Sequence, residues 1–489
     1  MLVLRSTRMV FPEGERPAAL HIENGIIERI VGYASDDPPG AEIFNVGDMV
    51  VSPGIVDTHV HINEPGRTAW EGFDTATRAA AAGGVTTLVD MPLNSIPATT
   101  TVAALHAKTA AARGQCHVDV GFWGGVVPGN AGELDALVDA GVRGFKCFLV
   151  PSGVDEFAAV DEDDLRQALP VLARRQVPLL VHAESPSVLA DLAIADLRLR
   201  NAGSNPQSAV RNPQSAIRDP RSAVRNPQSA IRNPQSYAVY LATRPPSAEV
   251  DAIRLMVRLA DEFRARIHIV HVSSAEGVEA IAAAKAASVA ITAETCPHYL
   301  TFDAAEIADG ATEFKCAPPI RASTHRDALW NGLVSRALDL IATDHSPAPP
   351  ELKHPGGIGD FAAAWGGIAS LELSLAATWT RLRAFGASAG KAGQSAARAG
   401  LARWMSAAPA ALAGLGSRKG QIAPGFDADL VVWDPDQEAV VDPSRLHQRH
   451  KLTPYAGRSL AGTVATTFVR GERVWDKNQL ARACGGRLL

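Results

Sequence analysis

The chain has 489 residues, of which 46% are hydrophobic and 20% charged, and its formal net charge at pH 7 is −5. This size and composition are ordinary for a globular protein with one large domain and a small accessory one. The weakly acidic balance gives no reason to expect a nucleic acid as a partner. No apolar run is long enough to predict a membrane span, and the amino-terminal residues predict a strand rather than a secretion signal.

Five cysteines are scattered along the chain without a CxxC pair. An odd number at irregular spacing does not predict a disulfide framework, so we expect reduced thiols that mostly fill space in the core. Reduced thiols favour a cytoplasmic location.

The two ends of the chain are predicted to be rich in β-strands. Residues 20–27 contain two apolar runs around Asn24-Gly25, a strong hairpin signal. Residues 427–433 predict another strand, and residues 466–475 predict a second hairpin. We therefore expect residues 1–50 and 416–489 to pair into one small β-sandwich domain.

The middle of the chain, residues 51–415, alternates short apolar runs with helical stretches such as residues 248–265. This is the pattern of repeated βα units. The strand candidates are residues 51–61, 85–91, 118–121, 144–149, 179–182, 267–272, 290–294 and 340–343. Eight such units predict an α/β fold, a (β/α)8 TIM barrel.

Residues 203–236 interrupt this pattern with a low-complexity insertion. From Asn205 onward, units of seven residues such as NPQSAVR repeat, each with a proline. A coiled coil has the same period, but proline breaks the helical hydrogen-bond ladder, and the apolar content is too low to offset the entropy of ordering. The repeats carry five arginines and one aspartate, so a basic tether is one interpretation. We favour a solvated insertion.

Two histidines stand near the end of the first predicted barrel strand, in His59-Val60-His61. Residues i and i+2 of a strand project to the same face, so both side chains can reach one ion. At the carboxyl end of a barrel strand, that face looks into the place where this fold carries its active site. An isolated pair of this kind is a weak signal, because core packing explains most of them.

Four further polar residues lie at or near the ends of other predicted strands. Lys146 lies within an apolar strand, where an unpaired ammonium is costly. His182, His271 and Asp344 each follow an apolar run. Singly, each is more often structural, but together with the histidine pair they form an improbable coincidence. Imidazole and carboxylate groups are suitable ligands for zinc and its neighbours, so the set predicts a metal site.

With these residues the sequence resembles the cyclic amidohydrolases, the family of dihydroorotases, hydantoinases and allantoinases. The similarity covers nearly the whole chain except the insertion. It implies two divalent ions, held by His59, His61, Lys146, His182, His271 and Asp344. It also implies that Lys146 is carboxylated by carbon dioxide to N6-carboxylysine. An ammonium cannot ligate a cation, whereas a carbamate offers two oxygens that can bridge two ions.

This metal pair suggests the chemistry. We expect Zn²⁺, and Co²⁺, Mn²⁺ and Fe²⁺ suit the same ligands. Two ions about 3.5–4 Å apart can hold a bridging water and lower its pKa from about 15.7 towards about 7. The hydroxide would attack a ring amide carbonyl, and Asp344 would carry the proton to the leaving nitrogen. The resemblance further implies a homotetramer and a role in purine catabolism.

The residues after the histidine pair bear on the substrate. In dihydroorotases the motif is HxHxR, whose arginine meets the substrate carboxylate, but here Asn63 holds that place. An amide cannot make the bidentate charged contact that a carboxylate favours, which points to a neutral ureide ring. Residues 63–73, 91–94, 344–350 and 449–455 are similar to allantoinases and imply allantoin. The same resemblance predicts that Asn63, Asn94, Cys316 and Ser346 line the pocket.

Several alternatives stay open. Another cyclic ureide, such as a hydantoin or a dihydropyrimidine, would undergo the same chemistry, but the hydrolases that open those rings have an aspartate at the place of Asn63. A non-catalytic scaffold relative would be expected to have lost metal ligands, and all six are present. The insertion lengthens the gap between His182 and His271, and it would inactivate the protein if it disrupted the helix after the strand. Asp57 is equally compatible with orienting a ligand histidine and with binding a backbone amide.

Overall fold

The computed structural model describes residues 1–192, 233–387, 390–481 and 484–489. Its strands are β1 (Leu2–Phe11), β2 (Gly14–Glu23), β3 (Ile26–Val31), β4 (Glu42–Asn45), β5 (Val50–Pro53), β6 (Ile55–Val60), β7 (Val85–Asp90), β8 (Asp119–Phe122), β9 (Gly124–Gly125), β10 (Phe145–Phe148), β11 (Leu179–His182), β12 (Ile267–Ile269), β13 (Ile291–Thr295), β14 (Leu340–Ile341), β15 (Leu430–Val440), β16 (Ser459–Val469), β17 (Glu472–Asp476) and β18 (Gln479–Leu480).

The α-helices lie mainly between the strands of the middle region. They are α1 (Phe73–Ala82), α2 (Val102–Ala112), α3 (Leu134–Asp139), α4 (Glu162–Arg175), α5 (Tyr237–Ala242), α6 (Pro246–Phe263), α7 (Ala275–Ala286), α8 (Pro297–Thr301), α9 (Ser323–Ser335), α10 (Pro350–Lys353), α11 (Ser374–Ala387), α12 (Gly390–Ala402) and α13 (Ala408–Leu412). Among the described residues, no helix has both the length and the apolar character needed to cross a membrane.

Strands β6 to β14 form a parallel barrel. Strands β6, β7 and β8 pair in that order, and β9 to β14 pair in sequence order. Strands β8 and β9 are two halves of the third barrel strand, separated only by Trp123. The first and last strands meet where Val60 pairs with His345. The predicted (β/α)8 barrel is therefore confirmed.

Apolar side chains fill the barrel and the layer between barrel and helices. Val56, Val89, Leu180 and Val270 belong to one buried cluster from four different barrel strands. On the outside, α6 is amphipathic and buries Ile253 among other residues. Burying one such side chain contributes about 1.5–3 kcal/mol. This packing fixes the strand ends that carry the candidate site.

The amino- and carboxyl-terminal strands form one nine-stranded sheet beside the barrel. The order is β18-β17-β16-β15-β5-β1-β2-β3, and β4 also pairs with β1. Both predicted hairpins are present, because β2 pairs with β3 across Asn24-Gly25 and β16 pairs with β17 across Arg470-Gly471. Phe44 of β4 and Phe468 of β16 meet with ring centroids 5.6 Å apart. The two halves of the sheet thus share a small core of their own.

The predicted opening strand, residues 51–61, is wrong as one element. Strand β5 pairs with β1 and β15 of the small domain, whereas β6 pairs with β7 of the barrel. Gly54 separates them, and a Cβ placed there would lie 2.3 Å from Thr86 Oγ1. A continuous apolar run hides this change of sheet, because both strands are buried.

The flanks of the insertion are tied to the rest of the fold. The part of the predicted insertion up to residue 232 lies outside the described residues, which resume at residue 233. The last fragment of the insertion, residues 233–236, is described: Phe361 N donates to Pro234 O at 2.7 Å and Gly310 N to Gln235 O at 2.8 Å. Before the insertion, Ser185 N donates to Ala248 O at 2.8 Å. The described contacts that lead into β12 are therefore made by this last fragment and by residues outside the insertion.

We expect removal of residues 205–232 to leave catalysis nearly unchanged. The flanking contacts do not use these residues, and the free energy of loop closure depends only weakly on loop length. Steady-state kinetics of the shortened chain should give kcat and KM within about twofold of the full chain. A tenfold loss of kcat would show that the repeats contribute to the site.

Candidate active site

The predicted ligand residues lie at the carboxyl ends of five barrel strands. His59 is in β6, Lys146 in β10 and His182 in β11. His271 follows β12, and Asp344 follows β14. All six predicted ligands, including His61 just after β6, are buried. The strand-end pattern that the sequence indicated thus converges on one region of the barrel.

One group consists of His59, His61 and Asp344. Their nearest ligand atoms all lie within 4.8 Å of one another. Asp344 Oδ1 is 3.2 Å from His59 Nε2 and 3.5 Å from His61 Nε2. Two imidazole nitrogens and a carboxylate oxygen therefore face a common point.

His182 and His271 form a second group beside the first. Their ring centroids are 4.6 Å apart, and His271 is 5.5 Å from the His59 ring. Burial lowers the pKa of both imidazoles, and the charge of Lys146 acts in the same direction. Both rings are therefore neutral at pH 7, the form that can ligate a metal ion.

Lys146 is a buried charged side chain of the site that lacks hydrogen bonds. It is fully buried, and its Nζ has no hydrogen-bond partner among the described residues. Burial lowers the pKa of its amine to about 8. Its charge acts on His61 of the first group and on both histidines of the second. Its Nζ lies 4.9 Å from the Phe148 ring, which stacks on His182 at 4.7 Å, so Lys146 lies beside the second group.

Buried carboxylates orient the candidate ligand histidines. One of these carboxylates, Glu294, was not identified from the sequence. Glu294, at the end of β13, contacts His59 Nδ1 at 2.5 Å with one oxygen and His268 Nε2 at 3.0 Å with the other. Glu184 contacts His182 Nε2 at 2.7 Å and makes a two-pronged ion pair with Arg244. Such contacts select which ring nitrogen is left for an ion. A carboxylate at the end of an apolar strand was the available signal for Glu294.

The structure decides between the two interpretations of Asp57. Its Oδ1 accepts from His59 N at 3.1 Å and from Thr343 N at 3.2 Å. Burial raises the pKa of this carboxyl to about 6. Asp57 therefore binds backbone amides and joins the first and last barrel strands.

The backbone at Asp344 adopts an unusual conformation. Its φ is +48°, and that of His271 is +42°. Such values are uncommon for residues other than glycine, and they cost of order 1–3 kcal/mol unless the surroundings hold them. Burial by itself would raise the pKa of Asp344, but the neighbouring histidines outweigh it and keep the pKa below its ordinary value. The side chain is therefore an ionised carboxylate.

The residues present fit a pair of divalent ions. Imidazole nitrogens and a carboxylate oxygen are suitable donors for zinc and related metals. Two buried polar atoms, Lys146 Nζ and His271 Nδ1, lack hydrogen-bond partners in the described part of the chain. Unsatisfied buried polar atoms are costly. A bound ion would compensate directly for His271 Nδ1, and for Lys146 only if its amine were carboxylated.

A second cluster of acidic residues is unsuited to a metal. Asp119, Asp427 and Asp429 come together, but Lys419 Nζ lies 2.8, 3.2 and 2.6 Å from their oxygens. Arg470 also pairs with Asp119. The cluster is a charge-compensated link between the third barrel strand and the small domain.

All four predicted pocket residues are buried, and Asn94 contacts the first group. Asn94 Nδ2 is 3.5 Å from His61 Nδ1. Asn63 Nδ2 donates to Pro347 O at 3.4 Å, and its buried Oδ1 has no partner among the described residues. Ser346 follows Asp344 closely, and Gly367 packs against it so tightly that a Cβ would lie 2.8 Å from Ser346 Oγ. Cys316 is buried, which raises the pKa of its thiol to about 12.

Comparison with known proteins agrees with this geometry. The Amidohydrolase family profile matches residues 50–474. A protein named allantoinase from Streptomyces avermitilis is 46% identical over 488 residues, covering 100% of this chain and 98% of its own. The allantoinase of Arabidopsis thaliana is 40% identical, covering 99% of this chain and 90% of its own.

Solved structures show the same architecture. The L-hydantoinase of Arthrobacter aurescens superposes with a TM-score of 0.85 at 29% identity and covers 100% of this chain and 99% of its own. The dihydropyrimidinase of Brevibacillus agri gives a TM-score of 0.83 at 26% identity, with 100% and 98% covered. The similarity extends over the barrel and the small β domain together.

Proposed function

The chain belongs to the Amidohydrolase family, and on that premise we propose that it hydrolyses allantoin to allantoate. The observation that carries the proposal is the 46% identity, over essentially the whole length of both chains, to a protein named allantoinase. The convergence of the six candidate ligands in one buried region supports the same reaction.

In the proposed reaction, water adds to the ring carbonyl and the ring C–N bond breaks. The carbonyl carbon becomes a carboxylic acid, which ionises to a carboxylate and releases one proton of the added water to solvent, and the leaving nitrogen gains the other proton. Asp344 is the residue we propose for moving that proton. Its contacts with His59 and His61 use Oδ1, which leaves Oδ2 to accept the proton and return it to the nitrogen.

Two divalent ions would be held by His59, His61, Lys146, His182, His271 and Asp344, with Lys146 carboxylated. Bound ions of this kind polarise a carbonyl and make water a nucleophile at neutral pH. The Nζ of Lys146, which has no hydrogen-bond partner among the described residues, supports the carboxylation. A pKa lowered to about 8 leaves about one tenth of the amine neutral and nucleophilic at pH 7, far more than for an ordinary lysine. Glu294 and Glu184 would keep the imidazoles in the tautomers that face the ions.

We propose that Asn63 selects a neutral ring. The buried Asn63 Oδ1 has no partner among the described residues, so it would accept a hydrogen bond from an N–H group of the ureido arm. A substrate carboxylate at this place would have no arginine to pair with, because Asn63 holds the position of the arginine in the HxHxR motif. Asn94, Ser346 and Cys316 complete the proposed pocket.

The finer features follow the family resemblance and remain part of the proposal. They are zinc as the metal, a homotetrameric assembly, a cytoplasmic location and a role in purine catabolism. Of the relatives, an allantoinase from Aquarana catesbeiana is named as mitochondrial.

The decisive experiment measures allantoate formation by the purified protein, together with its metal content. Hydantoin, dihydrouracil and dihydroorotate are run in parallel as alternative rings. We expect turnover of allantoin alone at a substantial rate, its loss after chelation and its return when Zn²⁺, Co²⁺ or Mn²⁺ is added back.

Other outcomes would separate the alternatives. Turnover of hydantoin or dihydrouracil without allantoin would favour a hydantoinase or dihydropyrimidinase, consistent with the solved structures, and would contradict the proposed substrate. Stoichiometric metal without turnover of any ring would favour a scaffold relative.

A further inference from the structure

A segment from outside the barrel holds two loops at the mouth of the site. His450 Nε2 contacts Ala69 O at 2.8 Å, in the loop after β6. Thr453 Oγ1 donates to Ala369 O at 2.7 Å, in the region after β14. His450 and Leu452 also line a small cavity together with Pro347. Residues 449–455 thus join the loops of the first and last barrel strands.

Glu71 is the buried acidic residue at the centre of this junction. It is 0% exposed. Its Oε1 accepts from Arg449 N at 3.0 Å, and its backbone oxygen accepts from Arg449 Nε. Its Oε2 is 3.5 Å from His345 Nε2. Both atoms are buried and neither makes a hydrogen bond in the described chain, so the contact between them is electrostatic.

The contacts of His345 fix its tautomer. Its Nδ1 accepts from Ser370 N at 3.2 Å and from Leu371 N at 3.3 Å. A ring nitrogen that accepts two N–H groups carries no proton, so the proton of the neutral ring is on Nε2. That N–H lies on the nitrogen 3.5 Å from Glu71 Oε2, where the negative carboxylate attracts it electrostatically. The ring of His345 is therefore held by two backbone amides at Nδ1 and faces the Glu71 charge at Nε2.

His345 in turn holds the peptide that carries Asp344. Its backbone oxygen accepts from His61 N at 2.8 Å, and its own N–H is bonded to Thr343 Oγ1 at 3.1 Å. Asp344 lies between Thr343 and His345 with the unusual φ of +48°. A conformation of this kind persists only where the neighbouring residues are fixed.

We propose that Glu71 is a positioning residue: through His345 it fixes the peptides of Asp344 and His61, so that both side chains keep the geometry in which they bind metal. The hydrogen bond from Arg449 N to Glu71 Oε1 holds the Glu71 carboxylate in position. The inference rests on the proposed function only in taking Asp344 and His61 as metal ligands.

The test is metal affinity of Glu71→Gln, measured by competition with a chelator on the full chain. The amide oxygen keeps the bond from Arg449 N, and its NH2 group then opposes the N–H of His345. We expect metal affinity to fall about 10–100-fold, the usual effect of losing a group that orients a ligand. At partial metal saturation kcat should fall with it, while KM stays within about threefold.

Glu372→Gln is the matched control. Glu372 binds the same carboxyl-terminal region, through His447 N at 2.7 Å and His447 Nδ1 at 3.1 Å, and it makes no contact with His345 among the described residues. We expect its metal affinity to stay within twofold of the starting protein. A loss equal to that of Glu71→Gln would overturn the inference, because general loosening of the segment would then explain both.

His345→Asn gives an independent measurement if Glu71→Gln does not fold. Its Oδ1 can replace Nδ1 as acceptor, but it presents no Nε2–H to Glu71. We expect the same loss of metal affinity, and no further loss in the double variant, since the two residues act as one unit. Unchanged metal affinity in either single variant would overturn the inference. Because no substrate enters this measurement, failure to hydrolyse allantoin would contradict only the proposed function.

Discussion

Replacing Lys146 with methionine is expected to abolish turnover without destabilising the metal-free protein. A methionine cannot be carboxylated, so the proposed metal site would lose one of its six ligands, and we expect kcat/KM to fall by 10³-fold or more, about 4 kcal/mol. The metal-free variant should unfold at the same or a higher denaturant concentration, because Lys146 Nζ is buried without a hydrogen-bond partner in the described chain. The Phe148 ring, 4.9 Å away, offsets only part of the desolvation cost that the substitution relieves.

Lys108→Met provides the matched comparison. Lys108 is equally buried, but its Nζ pairs with Asp90 Oδ2 at 2.6 Å and donates to Met91 O at 2.8 Å. Removing one partner of a buried ion pair leaves the other charge unpaired, which costs about 3–5 kcal/mol. The midpoint of denaturant unfolding of metal-free Lys146→Met should therefore stay the same or rise, whereas that of metal-free Lys108→Met should fall.

A large loss of stability in metal-free Lys146→Met would contradict this interpretation of Lys146. It would mean that the lysine has a structural partner, and that loss of turnover reports unfolding. Full activity of the variant would exclude a carboxylated lysine as a metal ligand.

Replacing Asp344 with asparagine is expected to lower kcat by about 10²–10⁴-fold, the usual contribution of a positioned acid–base group. Asparagine has nearly the same size and keeps one oxygen donor, so more metal should be retained than in Asp344→Ala. Asparagine cannot accept the proton that has to reach the leaving nitrogen. Metal content and kcat of both variants, measured on the same preparations, separate the two roles of the residue.

Asp57→Asn is the control for this prediction, because Asp57 is a buried aspartate in the same site. Its Oδ1 accepts from two backbone amides, and an asparagine oxygen can do the same. Burial already raises the pKa of this carboxyl to about 6, so loss of its charge removes little. We expect kcat to change by less than tenfold. A loss as large as that of Asp344→Asn would show that charge near the site, rather than proton transfer, limits the rate.

The alternation of side chains along a strand is a local property, and it explains what the sequence predicted well. His59 and His61 share a face because they are two residues apart. Lys146, His182 and Asp344 were recognised because polar groups at the ends of apolar strands are unusual. The two hairpins were equally local, since Asn-Gly and Arg-Gly turns adopt positive φ values. Eight such units were sufficient to predict the barrel.

Contacts between distant residues could not be predicted in this way. Glu294 orients His59 across 235 positions, and Glu71 meets Arg449 across 378. Which carboxylate meets which imidazole depends on the order and register of strands around the barrel, and on loops that the small domain holds in place. Neither the arrangement of the strands nor the position of these loops produces a periodic pattern in a single sequence.

The sequence by itself predicted the barrel and the six candidate ligands, because these rest on spacing within strands and on residue type, and the family resemblance of the sequence implied the class of chemistry. The tertiary structure alone decided where the chain passes from the small sheet into the barrel at Gly54, which carboxylates fix the ligand histidines, and how Asp344 is held at a φ of +48°. These features depend on packing between elements that are far apart in the chain. Burial excludes water there, so each polar group can bond only to a partner that the fold brings close to it.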